Sequence, residues 1–107
     1  MTDRELLELA AKAAGLTMHR YCEPWNAMAR YTMADGYRSP SWNPLTDDGE
    51  ALRLAVKLEL VVDTHGLFVR ASHPFAEPFA SEERGADPYA ATRRAIVRAA
   101  AAIGSAS

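Results

Sequence analysis

The chain has one cysteine, Cys22, so no internal disulfide can form and nothing demands an oxidising compartment. It has no stretch near the roughly 18 apolar residues of a membrane-spanning helix. Neither sign of charge prevails: 12 Lys and Arg face 14 Asp and Glu, a formal net charge of −2. That balance gives no general attraction to nucleic acid or to an anionic membrane. Glycine is scarce, with 6 residues in 107, and none of it forms a phosphate-cradling loop. Ser39 and Ser41 stand outside any Gly-x-Ser-x-Gly elbow. No Cys-x-x-Cys pair offers a structural zinc site.

What remains is an ordinary globular composition, 49% hydrophobic and 24% charged, on a chain long enough for a single core. No linker or low-complexity tract divides it, so residues 1–107 are expected to form one small domain. The N-terminal "MTDRELLELAAKAAG" carries Asp3, Glu5 and Glu8 within its apolar run, unlike a secretory signal. A cytoplasmic protein is the expectation.

Three helices are predicted. Thr2 and Glu5 have the spacing of a capping box, Leu6, Leu9, Ala10 and Ala13 follow at helical spacing, and Gly15 suits a left-handed C-terminal residue. This gives a helix over 3–14. Thr46 reads as the N-cap of a second helix over 47–58, with Asp47, Asp48 and Glu50 at the positive end of its dipole. Its buried face is Ala51, Leu54, Ala55 and Leu58, widened by Leu52 and Val56. Asp87 caps the third helix, 88–103, with Pro88 at its first position. Tyr89, Ile96, Ala100 and Ile103 line its buried face, and Gly104 stops it.

Between the helices lie β segments. "TMHRYC" and "AMARYTM" alternate as strands do, and Asp35-Gly36 supplies a turn with positive φ. "ELVVDTHGLFVRA" reads as two strands around a tight turn at His65-Gly66. "SHPFAEPFASEERGA", with its prolines and charge run, reads as a loop. The fold class is therefore α+β, a mainly antiparallel sheet of about four strands with three helices.

The chemistry is sparse. His19 and Cys22, three apart on a strand, point to opposite faces and cannot chelate together. The acidic pair Asp47-Asp48 is explained by capping, and Leu45, Gly49 and Ala51 do not supply the ligands of a calcium loop. Arg94 and Arg98 lie one turn apart on the last helix, as on a solvated helix face. The turn-rich middle is more suggestive: Trp25, Arg30, Arg38 and Trp42, with Asn43 beside them, would border one surface if Asp35-Gly36 folds the chain back. Guanidinium groups beside aromatic rings suit a nucleotide or another anionic ligand. A Trp-Asn pair occurs twice, at 25–26 and 42–43, too short an echo to count as a repeat.

Three blocks, "MTDRELLELAAKAAG", "WNPLTDDGEALRLAVKL" and "DPYAATRRAIVRAAAAIG", cover about half the chain and resemble, in this order, the phage ABA-sandwich domain family of small bacteriophage and prophage proteins. The resemblance implies an α/β/α sandwich and a phage origin, hence the cytoplasm of the host cell. It implies no catalytic residue and no cofactor. The expected function is non-catalytic binding: sequestering a small host molecule such as a nucleotide signal, or inhibiting a host protein. The expected partner is a host protein or a small anionic ligand, and a homo-oligomer is compatible with this. Two other readings stand beside it, a small metal-dependent nucleotide hydrolase using His65, Asp63 and Asp47-Asp48, and a nucleic-acid-binding protein.

Overall fold

A computed structural model describes residues 1–16, 20–23, 26–29, 41–74 and 76–106. Helix α1, Asp3–Ala13, starts on the capping box: the Glu5 amide donates to the Thr2 hydroxyl, and the Glu5 carboxylate accepts from the Thr2 amide. The hydrogen bond from the Thr2 amide, then that from its hydroxyl, holds the Glu5 carboxyl below its ordinary pKa. A carboxyl lowered in this way stabilises the fold above its unfolded pKa. That help is lost as pH falls through the folded value. At the other end Gly15 adopts φ 68°, while Leu16 and Gly15 amides bond the Ala11 and Lys12 carbonyls in a Schellman arrangement.

The second helix, α2, spans Asp48–Lys57, and its cap corrects the sequence expectation. Asp47, not Thr46, is the N-cap: its carboxylate accepts from the Gly49 amide at 3.2 Å. Thr46 sits one residue too early, its amide and hydroxyl both turned to the Asn43 carbonyl. Asp47→Ala is therefore expected to cost about 1 kcal/mol. Thr46→Ala should stay within about 0.5 kcal/mol of wild type, as exposed substitutions do. Chemical denaturation of both variants checks this, and the reverse order would return the cap to Thr46. At its C-terminus α2 closes on Glu59, which takes a left-handed φ of 56° without being glycine.

Helix α3, Pro88–Ala106, begins as expected, the Asp87 carboxylate accepting from the Tyr89 and Ala90 amides at 3.1 Å. It runs past Gly104 rather than stopping there. Gly104 is buried against α1: a Cβ at this position would meet the Leu9 carbonyl carbon at 2.9 Å, its oxygen closer still, and the Ala13 amide at 3.3 Å. Glycine here serves close helix packing, not termination.

The described strands form two three-stranded antiparallel sheets, where a single sheet of about four strands was expected. In the first, β1 (Arg20–Cys22), β2 (Ala27–Ala29) and β3 (Ser41–Trp42) lie in that order, and Tyr21, Met28 and Trp42 align across it. The turn between β1 and β2 uses Asn26 at φ 49°. The remainder of the expected strands at 17–22 and 27–33, and the Asp35-Gly36 turn, lie outside the described residues.

The second sheet orders β4 (Val61–Asp63), β5 (Phe68–His73) and β6 (Ala76–Glu83). The β4–β5 hairpin is where the sequence places it, but its turn is wider than two residues. Asp63 pairs with Arg70, so 64–67 connect the strands, with Gly66 at φ 93° and the Asp63 carboxylate accepting from the His65 amide at 2.9 Å. Strand β6 replaces the expected loop over 72–86. Pro78 is tolerated because it falls in the irregularity between the Ser72–Phe79 and His73–Ala76 pairs, where a missing amide breaks no regular ladder. An irregularity at Ser72/His73 absorbs the register change beside it.

Helix α3 is the hub. It packs on β5 and β6 with one side and on α1 and α2 with others. Its buried Ala95, Ile96, Val97, Ala99, Ala100 and Ala101 meet Leu6, Leu7 and Ala10 of α1, Leu54 of α2, and Val69 and Ala71 of β5 in one core. Three arginines tie it outward, each to a different element: Arg93 to Asp48 of α2 at 2.6 Å, Arg94 to Asp3 of α1 at 3.2 Å, and Arg98 to Glu82 of β6. The expected arginine face stays partly solvated at Arg94 and Arg98 and also makes cross-element ion pairs.

Candidate functional site

Two of the five residues expected to border a binding surface are described, and both have structural places. Trp42 is only 4% exposed and belongs to the core. It sits on the face of the first sheet shared with Met28, directly opposite it in register, and α1 packs on β1 and β2 of that sheet. Burial of this kind makes a ring a packing group rather than a stacking platform. Asn43 is bonded on every side. Its side-chain nitrogen donates to the Asn26 carbonyl at 2.6 Å, its side-chain oxygen accepts from the Leu45 amide at 2.9 Å, and its carbonyl accepts from the Thr46 and Asp47 amides. The two Trp-Asn pairs are therefore joined through their asparagines, the second stapling the β1–β2 turn to the start of α2. Trp25, Arg30 and Arg38 lie outside the described residues.

The carboxylates suggested for metal chemistry are likewise placed by local structure. Asp47 caps α2, Asp48 pairs with Arg93, and Asp63 shapes the β4–β5 turn. Among the described residues, no group of three or more His, Cys, Asp or Glu side chains could hold a metal ion. His19 lies outside those residues.

A concave site exists elsewhere. A groove of about 460 Å³ runs between α2, the first turns of α3 and the end of β4. Its floor is Ala51, Ala55, Val62 and Ile96, and Leu52 and Tyr89 rise at its sides. Leu52 is 64% exposed and Tyr89 70%, and Val56, one turn beyond Leu52, is 69% exposed. All three were expected to be buried, and the reasons differ. At about 100° per residue, Leu52 and Val56 lie roughly 100° and 140° from Ala51, beyond the stripe that faces α3. That angle was readable from the sequence. Tyr89 is in phase with Ile96, two turns on, but no described element covers the groove at that height.

The polar rim of the groove is already engaged. Arg93, with a side chain only 18% exposed, donates from Nε to the Leu45 carbonyl at 2.9 Å and from Nη1 to Asp48. Arg84 donates to the Thr64 carbonyl. The groove thus presents apolar surface at its floor and sides, with its guanidinium groups turned to the protein's own oxygens.

A second cavity, about 530 Å³, opens on another side of α3, lined by Met1, Leu6, Glu82, Arg94, Arg98 and Ala102 among others.

Compared with known proteins, the chain matches no family model, and no curated protein or solved structure matches it significantly. No helix among the described residues is long and apolar enough to cross a membrane.

Proposed function

We propose that this protein is a non-catalytic binder, a small bacteriophage accessory protein that blocks a host protein during takeover or evasion of defence. The phage origin rests on the three blocks of sequence that resemble the phage ABA-sandwich domain family. The same resemblance implies the finer α/β/α layering, whose further layer would lie over the outer face of β4–β6, where Phe68 and Phe79 are exposed. Binding rests on one observation: Leu52 and Tyr89, two large exposed side chains, flank a groove with an apolar floor, and Val56 is exposed one turn beyond Leu52 on α2.

Large apolar side chains scattered singly on a surface need no explanation, but a cluster around a concavity marks an interaction site. An apolar side chain of a partner protein fits this groove better than a nucleotide does, because the floor is apolar and Arg93, largely buried, is committed through Nε and Nη1 to Leu45 and Asp48. Sequestration of a small anionic molecule therefore draws no support from this groove. Nor does a net charge of −2 favour nucleic-acid binding.

The test is native mass spectrometry of the protein taken from phage-infected cells, followed by affinity measurement with whatever host protein is found. Leu52→Asp and Tyr89→Ser change exposed residues, so stability should move by no more than about 0.5 kcal/mol. Burying one large apolar side chain is worth about 1.5–3 kcal/mol, so each variant should weaken the partner roughly 10- to 100-fold. A folded Leu52→Asp that binds the same partner like wild type removes this groove as the site. A protein that arrives carrying a bound metabolite and no host protein removes the blocking function.

A further inference from the structure

We infer that the second cavity is a binding site for a phosphate monoester with a short aliphatic tail, separate from the apolar groove and independent of what binds there. Arg94 and Arg98 project from one face of α3 into this space, one turn and so about 5–6 Å apart at their Cβ atoms. Each guanidinium has five N–H donors in a planar fork. Among the described residues, Arg94 uses Nη1 alone, on Asp3 at 3.2 Å, and Arg98 uses Nη1 alone, on the Ser81 carbonyl at 3.1 Å and on Glu82. Nε and Nη2 of both remain available, and the two side chains are 41% and 43% exposed.

A dianion with three terminal oxygens matches two guanidinium groups lining one cavity in charge and in acceptor number, where a single carboxylate satisfies only one. The ion pair that holds Arg94 is no obstacle. Asp3 is a surface carboxylate, 63% exposed, and such pairs contribute little, so Arg94 can turn to a bound phosphate at small cost. Glu82 is a like charge on the cavity wall, but it is held by Arg98 on the β6 side. The rest of the wall sets the tail. Met1, Leu6, Ala101 and Ala102 are apolar, Ser105 adds one hydroxyl, and among the described residues no aromatic ring stands there to stack a base, so an aliphatic ester fits where a nucleotide does not.

Titration calorimetry of the full chain with hexyl phosphate, inorganic phosphate and hexanol tests this. Hexyl phosphate should bind at millimolar concentration or below, inorganic phosphate about tenfold more weakly, and hexanol not at all. Arg94→Gln and Arg98→Gln should each weaken hexyl phosphate about tenfold or more. Because loss of Arg98 also removes a tie to β6, Ala102→Leu provides a second route. It narrows the apolar part of the cavity with both arginines in place, and should weaken hexyl phosphate while leaving melting nearly unchanged. Hexyl phosphate that binds folded Arg94→Gln and Ala102→Leu like wild type overturns the site. Equal affinity for inorganic and hexyl phosphate overturns the tail, and no binding by folded wild type overturns the whole proposal.

Discussion

Gly104→Ala is expected to lower stability by about 1–3 kcal/mol, although helix propensity alone favours alanine by about 1 kcal/mol. The two effects have opposite signs, and geometry decides between them. The added methyl would meet backbone atoms of Leu9 and Ala13, which cannot rotate aside as a side chain can. Relief requires α1 and α3 to move apart, or the last turn of α3 to unwind. Either route loosens contacts among Leu7, Ala10 and Ala101, all buried at this crossing. For a domain of this size each kcal/mol shifts the melting temperature by about 4–8 °C, so a clear fall is measurable. Ser105→Ala, next in the chain and exposed, isolates the propensity effect and should be neutral or slightly stabilising. A Gly104→Ala variant that melts higher than wild type would show that the helices have room.

That glycine marks where the sequence misleads. A glycine near the end of a helical pattern reads as a stop, and Gly15 is one, with its positive φ. Gly104 has the same sequence context but a tertiary cause, which no local pattern contains. Local chemistry was legible: the Thr2–Glu5 box, the Asp87 cap, the helical spans and the β4–β5 hairpin depend on residues within a few positions of one another. Between Thr46 and Asp47 the local signals were close to equal. The choice fell to Asp47 because the Asn43 carbonyl takes Thr46.

Less legible was anything set by a distant neighbour. Strand β6 carries a proline and part of a charge run that argue for a loop, and it is a strand because β5 offers an edge to pair with. Strand β3 is two residues long, too short for any alternation to show. The ion pairs of Arg93, Arg94 and Arg98 bridge separations that sequence spacing does not reveal. The candidate groove was hidden for a simpler reason: Leu52 and Val56 were counted with the buried face because they are apolar, when their angle on the helix places them outside it.

Trp42→Ala is expected to have the largest effect of any single truncation considered, about 3–5 kcal/mol of folding energy. A domain of this size commonly has about 5–15 kcal/mol in all, so the variant should be marginal or unfolded. The indole lies in the core, opposite Met28 in register, and it is 4% exposed. Its removal leaves a cavity next to Asn43, whose bonds to Asn26 and Leu45 hold the start of α2, so a collapse there reaches both elements. Trp42→Phe keeps most of the apolar volume and should cost only about 1–2 kcal/mol. Binding lost on Trp42→Ala is then a consequence of unfolding, and the phenylalanine variant should retain it. Fluorescence gives an independent measure, because the chain has two tryptophans. In Trp25→Phe the remaining indole should emit at short wavelength and resist quenching by acrylamide. An indole that quenches freely in that variant, or a Trp42→Ala protein that melts like wild type, would place the ring at the surface. The ring would then be free to stack on a ligand.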